Sequence, residues 1–154
     1  MKSNIRVLSV TFSTPERYDG AADRPTFPPP LTFNYPMMPI IRTADIPEYY
    51  FEERCFIKEL LNRADFPGLS IAQARVAPDE TTVLHALTGT EVYYLLEGRG
   101  VVELDGEASP VAPGDLVHIV PHTAQRITNT GTTDLLFLAI CQPRFRPEHY
   151  RVVE

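Results

Sequence analysis

Short apolar stretches separated by turn residues run through the chain from residue 49 onward. Within many of these stretches apolar and polar positions alternate, which is typical of strands that bury one face. The pattern predicts strands over residues 82–87, 91–97, 100–104, 108–111, 116–120, 125–128 and 134–142. Asp105-Gly106, between two of these strands, is a strong hairpin signal. Many short antiparallel strands at regular spacing predict an all-β sandwich or barrel.

One further segment, Cys55–Leu61, fits either a helix or a strand when it is considered alone. It is followed by turn residues at 62–68 and by another strand-like segment at 70–76. This arrangement favours a β-hairpin over a helix. We therefore expect very little helix in the chain.

The N-terminal part of the chain has a different composition. Six prolines lie between Pro25 and Pro39, and proline removes a backbone donor and fixes φ, so this segment cannot be a helix. The same segment carries aromatic residues and methionines, in which a disordered linker would be poor. We predict a short strand and an extended Pro-rich N-terminal arm within residues 1–48, and a barrel over residues 49–154. The arm is expected to pack on the barrel or on the partner subunit of a homodimer.

Charge and hydropathy exclude several classes of function. The net charge of −6 argues against a nucleic-acid partner, because binding to phosphates requires clustered Lys and Arg. No apolar run approaches the roughly 20 residues of a membrane span, and the N-terminus lacks a secretory apolar region. Cys55 and Cys141 lie in apolar, strand-like segments and are interpreted as buried reduced thiols, which predicts a cytoplasmic location.

The strands around one short turn carry the first candidate chemistry. His85 and Leu87 share a strand face, and Glu91 opens the next strand. This segment resembles the first motif of the cupin family, which runs Gly, five residues, His-x-His, three or four residues, Glu, six residues, Gly. His85, Glu91 and Gly98 occupy three of its places. Asp79 replaces the first Gly, and Leu87 replaces the second His.

The second cupin motif follows and is altered as well. It runs Gly, five residues, Pro-x-Gly, two residues, His, three residues, Asn. Gly114 and Asn129 match its ends, whereas Val120, His122 and Gln125 stand at the places of the Pro, the Gly and the His. The resemblance covers residues 70–142 and implies a double-stranded β-helix, the cupin jelly-roll barrel.

The resemblance also implies a divalent metal ion held by His85, Glu91 and Gln125, with Zn, Mn, Fe or Ni as candidate ions. An amide oxygen such as that of Gln125 ligates a divalent ion more weakly than an imidazole. Each residue also has a plainer interpretation. His85 would then be a packed histidine, Glu91 a surface carboxylate, and Gln125 an amide that forms hydrogen bonds within the pocket.

Catalytic roles are predicted for Glu91, Tyr93 and His118. Tyr93 shares the strand face of Glu91 and should point into the barrel. His118 or His122 would supply the imidazole lost at Leu87, unless His118 faces away from the barrel and His122 lies on a loop. Both alternatives are open at this point.

These residues predict a small cupin enzyme that binds a metal and a small organic molecule in its barrel. Isomerase, lyase or cyclase chemistry on a carbonyl-bearing substrate is favoured. The alternatives are a metal-free binding module, a metal-dependent dioxygenase, and a metal-free acid–base enzyme with His85 or His118 as the base beside Glu91. Gln73 and Arg75 share one strand face, which would suit an anionic or carbonyl-bearing substrate if it is directed inward.

Overall fold

The computed structural model describes residues 40–153, which form strands and one short turn of 3₁₀ helix. The strands are β1 (Tyr49–Phe51), β2 (Cys55–Leu61), β3 (Ser70–Val76), β4 (His85–Leu87), β5 (Thr90–Glu97), β6 (Gly100–Leu104), β7 (Glu107–Val111), β8 (Leu116–Ile119), β9 (Gln125–Asn129), β10 (Leu135–Gln142) and β11 (Tyr150–Val152). The 3₁₀ turn covers Pro147–His149. The predicted strands agree with these bounds within a few residues, and Cys55–Leu61 is a strand paired with β3, as the hairpin interpretation required.

The strands form two antiparallel sheets. The six-stranded sheet has the order β1-β2-β3-β10-β5-β8, and the five-stranded sheet has the order β11-β4-β9-β6-β7. Sequence neighbours such as β4 and β5 therefore lie in different sheets, as in a jelly roll. The predicted all-β jelly-roll fold is confirmed.

Strand alternation determines which side chains enter the barrel. Along β5 the buried positions are Glu91, Tyr93 and Leu95, every second residue, while Tyr94 between them is exposed. Buried apolar residues from both sheets form one core, with members that include Cys55, Val76, Val102, Ile119, Ile127, Leu135 and Phe137. Among the buried side chains of β5, Glu91 is the charged one. It points into the barrel interior together with Tyr93 and Leu95.

Two departures from the cupin motifs keep the backbone geometry that glycine provides. Asp79 and His122 stand where the motifs have Gly, and both adopt positive φ, 63° and 71°. Asp and His are among the residues that tolerate this left-handed region better than most. Gly98 and Gly114, which match the motifs, also have positive φ. Both replacing residues therefore adopt the left-handed backbone conformation that glycine accommodates without strain.

We expect His122→Gly to raise the free energy of unfolding by up to about 1 kcal/mol, because glycine removes the strain of a positive φ. Gly98→Ala should lower it by more than about 2 kcal/mol, since a Cβ at Gly98 would lie 2.6 Å from the carbonyl oxygen of Asp134. Urea denaturation of both variants measures the two changes. Stabilisation by Gly98→Ala would contradict this account of the turns.

The predicted strand near residues 5–12 and the Pro-rich arm lie outside the described residues, so the homodimer and the arm's packing stay predictions. Cys55 and Cys141 are both free and buried, as predicted. Among residues 40–153 there is no helix of the length and apolarity that a membrane crossing requires.

Candidate functional site

A cavity lies on the inner face of the six-stranded sheet, against β1, β2, β3, β5 and β10. Its empty volume is ≈ 670 Å³ when the solvent at its mouth is included. Most of this space is open to solvent, and the enclosed part is ≈ 70 Å³. Its lining residues are Tyr49, Phe51, Glu53, Cys55, Ile57, Glu59, Leu61, Asn62, Ser70, Ile71, Ala72, Ala74, Thr82, Glu91, Tyr93, Phe137, Ala139, Cys141 and Phe145. The walls are mainly aromatic and aliphatic, with three carboxyl groups among them.

Glu91 is the best-defined polar group of this cavity. Its residue is 6% exposed. Its Oε2 accepts a hydrogen bond from Nε2 of Gln125 at 2.6 Å, and its Oε1 accepts one from the Cys141 thiol at 3.5 Å. Burial raises the pKa of Glu91 to about 7, and the two hydrogen bonds partly oppose this rise. Glu91 therefore titrates near neutral pH in a fixed orientation.

Glu53 is a second carboxyl group on the cavity wall. It lies in the turn between β1 and β2, and its side chain is 15% exposed. Burial raises the pKa of Glu53 to about 8, and the charge of Glu91 adds to the rise. Two carboxyl groups with raised pKa values thus face one apolar cavity, a pattern that is frequent in acid–base active sites.

His85 lies behind Glu53 and is 2% exposed. Its Nδ1 donates a hydrogen bond to the carbonyl oxygen of Val83 at 2.9 Å, so in the neutral ring Nε2 carries the free lone pair. That Nε2 is 3.9 Å from Oε1 of Glu53. Burial lowers the pKa of His85, which favours the neutral ring. Nε2 of His85 can therefore accept a hydrogen bond on the side of the ring that faces Glu53. The ring itself stacks on Tyr150, with centroids 5.0 Å apart.

Tyr93 lines the cavity two residues beyond Glu91, as strand alternation predicted. It is 4% exposed, and its ring packs on Phe137 with centroids 4.6 Å apart. Burial raises the pKa of the Tyr93 hydroxyl well above its ordinary value, and the nearby carboxyl groups add to this effect. The hydroxyl consequently stays protonated at physiological pH and can only donate or accept hydrogen bonds.

The structure does not bring the remaining candidates to the cavity. His118 is exposed and lies opposite Val92, whereas the inward Glu91 lies opposite Ile119. Alternation therefore places His118 on the outer face of β8, and its predicted catalytic role has no support from its position. His122 is an exposed turn residue.

Arg75 also faces outward. Its guanidinium group bonds Glu48 at 2.6 Å and Asp134 at 3.1 Å, and it covers the ring of Phe56 at 4.0 Å. Gln73 shares this outward face of β3. Of the two alternatives for Gln73 and Arg75, the structure shows the outward one, so neither side chain can meet a substrate in the barrel.

The three predicted metal ligands are neighbours, but their arrangement does not fit a metal ion. His85 is paired directly with Gln125 across β4 and β9, and Gln125 contacts Glu91. Gln125, however, directs an N–H toward Glu91, and an N–H group cannot ligate a cation. Leu87 supplies no donor at the remaining place. Within residues 40–153 no three His, Cys, Asp or Glu side chains gather closely enough to hold one ion.

Sequence reasoning missed Glu53. It belongs to the run Glu52-Glu53-Arg54, which has the composition of a solvated turn. The segment forms the tight turn between β1 and β2, with Arg54 at a positive φ of 65°, and Glu53 lines the cavity. Cys55 and Cys141, predicted as buried thiols from their apolar segments, both lie on the cavity wall.

Comparisons with known proteins identify relatives of this chain. The cupin domain family matches residues 72–141. An uncharacterized protein of Methanocaldococcus jannaschii is 36% identical over 122 residues, covering 76% of this chain and 98% of that protein. An oxalate-binding protein of Thermotoga maritima is 37% identical over 70 residues, covering 45% of this chain and 58% of that protein. The crystal structure of a predicted oxalate decarboxylase of Thermotoga maritima is 26% identical with a TM-score of 0.62, covering 68% of this chain and 98% of that chain.

Proposed function

Because the chain belongs to the cupin family, we propose that it is a small cupin enzyme that binds an organic molecule in its barrel and moves protons on it. Glu91 and Glu53 are the acid–base groups. The observation that carries this proposal is that both carboxyl groups face one aromatic cavity while burial brings their pKa values to about 7 and about 8. General acid–base catalysis is most efficient when the pKa lies near the working pH.

Each residue of the site has a separate role in the proposed proton transfer. The hydrogen bonds from Gln125 and Cys141 hold the Glu91 carboxyl in one orientation, with its ionised form stabilised by both donors. Glu53, with the lower tendency to ionise, is the proton donor to the substrate and takes its proton back from solvent, while the neutral ring of His85 lies behind it with Nε2 3.9 Å from Oε1. The hydroxyl of Tyr93 is available to a substrate oxygen. The apolar walls exclude water from the reacting groups.

This pair of groups supports reactions in which one proton is removed and another is delivered. Isomerisation next to a carbonyl, elimination of water and ring closure are of this kind, so the proposal includes isomerase, lyase and cyclase chemistry. The oxalate named for the similar Thermotoga protein is not carried over to this chain, because oxalate is a dianion and the described cavity wall offers carboxyl groups to it.

Proton abstraction is testable before the natural substrate is known. In D₂O, we expect the enzyme to exchange a C–H proton of some small ketones or hydroxyketones for deuterium, which mass spectrometry detects. Glu91→Gln should slow this exchange by about 10²–10⁴-fold, because the amide cannot take the proton. Glu107→Gln, which makes the same change at an exposed position of β7, should leave the rate unchanged. Equal exchange in Glu91→Gln and in the unaltered enzyme would refute the assignment of Glu91.

The second candidate is the metal-dependent enzyme implied by the motifs. Two observations favour it: Oε1 of Gln125 is buried without a hydrogen-bond partner, and Nε2 of His85 has a free lone pair. An ion would require Gln125 to turn its oxygen into the site. Metal-dependent dioxygenase chemistry depends on the same condition.

Metal analysis of protein purified without an affinity tag separates the two candidates. We expect well under one ion per chain. We expect more in Leu87→His, because that change adds an imidazole on the strand face of His85. If the protein does bind a stoichiometric ion, His85→Ala should remove it and His149→Ala should not. Such an ion, lost only with His85, would favour the metal-dependent enzyme over the acid–base proposal.

A further inference from the structure

The charges on the cavity wall constrain what can bind there. Three of its lining residues are acidic, namely Glu53, Glu59 and Glu91. Within residues 40–153, the lining contains no Lys, Arg or His. The uncharged polar groups are hydroxyls, thiols and one amide. The part of the wall formed by residues 40–153 therefore offers many acceptors and no cationic partner for an anion.

Arg75 and Arg144 lie next to lining residues in the sequence, but their guanidinium groups are bonded elsewhere. Arg75 on β3 lies on the outer face and is paired with Glu48 and Asp134. Arg144 donates to Oδ1 of Asn62 at 2.9 Å and does not itself line the cavity. Neither guanidinium group is placed to neutralise an anion beside Glu91.

The apolar part of the wall is largely aromatic. Tyr49, Phe51 and Phe145 form edge contacts in series, with centroid distances of 6.5 Å and 6.4 Å. Tyr93 and Phe137 form a second pair at 4.6 Å. Five rings around one cavity provide faces and edges for another ring, and ring faces also attract cations.

We propose that the cavity selects a small molecule that has an aromatic ring and carries no negative charge. Its ring lies among the five aromatic side chains, and a hydroxyl, carbonyl or ammonium group meets Glu53 and Glu91. A buried anion without a cationic partner is costly to desolvate, and the carboxyl groups would repel it further. This charge preference rests on the proposed function, because it concerns the same site. It is a property of ligand binding and does not require turnover.

Three probes of nearly equal size test the charge preference: benzyl alcohol, benzylamine and benzoate. At pH 7.5 they are uncharged, cationic and anionic. We expect ligand-detected NMR titrations to show at least tenfold tighter binding of benzyl alcohol and benzylamine than of benzoate. Benzoate binding as tightly as the other two would overturn the proposal, and so would the absence of binding by all three. Binding of the uncharged probes by a chain that shows no deuterium exchange would instead refute the acid–base function alone.

A matched pair of variants locates the effect in the cavity. Glu59→Lys puts an ammonium group on the wall and should strengthen benzoate binding at least fivefold. Glu107→Lys makes the same change in charge on the exposed strand β7 and should not alter it. An equal response of both variants would show that net charge, and not the cavity wall, governs selection, and would overturn the proposal. Far-ultraviolet circular dichroism establishes that each variant retains its strands.

Discussion

The free energy of unfolding should decrease by a few kcal/mol as the pH rises from 5 to 8.5. The physical reason is the burial of Glu53 and Glu91, whose pKa values are raised to about 8 and about 7. One unit of difference between the folded and unfolded pKa corresponds to about 1.4 kcal/mol, so each group contributes on the order of 3 kcal/mol, less where the two titrate together.

The direction follows from proton binding in the two states. Between about pH 4.5 and pH 8 the folded chain holds protons on Glu53 and Glu91 that the unfolded chain has released. The folded state thus binds more protons, and stability falls with rising pH. Below about pH 4.5 both states are protonated, and above about pH 8 both are ionised, so the dependence is confined to this window.

Urea denaturation at a series of pH values measures this dependence. In Glu91→Gln and Glu53→Gln the slope should be reduced, and the double variant should be nearly flat over the window. Both single variants should be more stable than the parent at pH 8.5 by ~2 kcal/mol, because a buried charge is replaced by a neutral amide. Glu107→Gln, at an exposed site, is the matched control and should retain the full slope. A parent protein whose stability rises from pH 5 to 8.5 would refute the described environment of both carboxyl groups.

The fold was predictable because strand alternation and turn residues are local signals. The hairpin at Asp105-Gly106 is an example, since β6 and β7 pair with Leu104 opposite Glu107. The positions of Glu91 and Tyr93 followed from the same alternation. These predictions needed only the period of two along a strand and the order of the strands.

The partner of Glu91 across the cavity was not predictable, because it depends on a loop. Glu53 is inward only through the path of the β1–β2 turn, and nothing in Glu52-Glu53-Arg54 distinguishes it from a solvated turn. The direction of His118 was not predictable from the sequence either. Its place beside the second motif suggested a role in the site. However, Ile119 pairs with the inward Glu91 and therefore lies on the inner face of β8, so His118, one residue earlier, lies on the outer face.

The motif replacements also acquire a physical interpretation in the structure. Gln125 stands where the family has a histidine ligand, and here its amide orients a carboxyl group. Leu87 stands at the other histidine place and is buried as an apolar residue. Together they replace two imidazole ligands with one hydrogen-bond donor and one apolar contact. This favours a site in which Glu91 exchanges protons, which is the basis of the proposed function.

Gln125→Leu should destabilise the chain in a strongly pH-dependent way. At pH 8.5 Glu91 is ionised and loses its charge-assisted bond from Gln125, which should cost about 2–3 kcal/mol. At pH 5 the carboxyl is protonated, and the variant also removes the unpartnered Oε1 of Gln125, so the cost should be under about 1 kcal/mol. Loss of the hydrogen bond raises the folded pKa of Glu91 further, which extends the pH-dependent window upward.

A double-mutant cycle with Glu91→Gln isolates this coupling. In the Glu91→Gln background, residue 91 carries no ionisable group, so Gln125→Leu should cost the same free energy at pH 5 and at pH 8.5. The coupling energy between the two positions should therefore appear at the higher pH and nearly vanish at the lower one. Denaturation of the four proteins at both pH values provides the measurement. If the cost of Gln125→Leu did not change with pH in the parent chain, Gln125 could not be the group that holds the ionised Glu91.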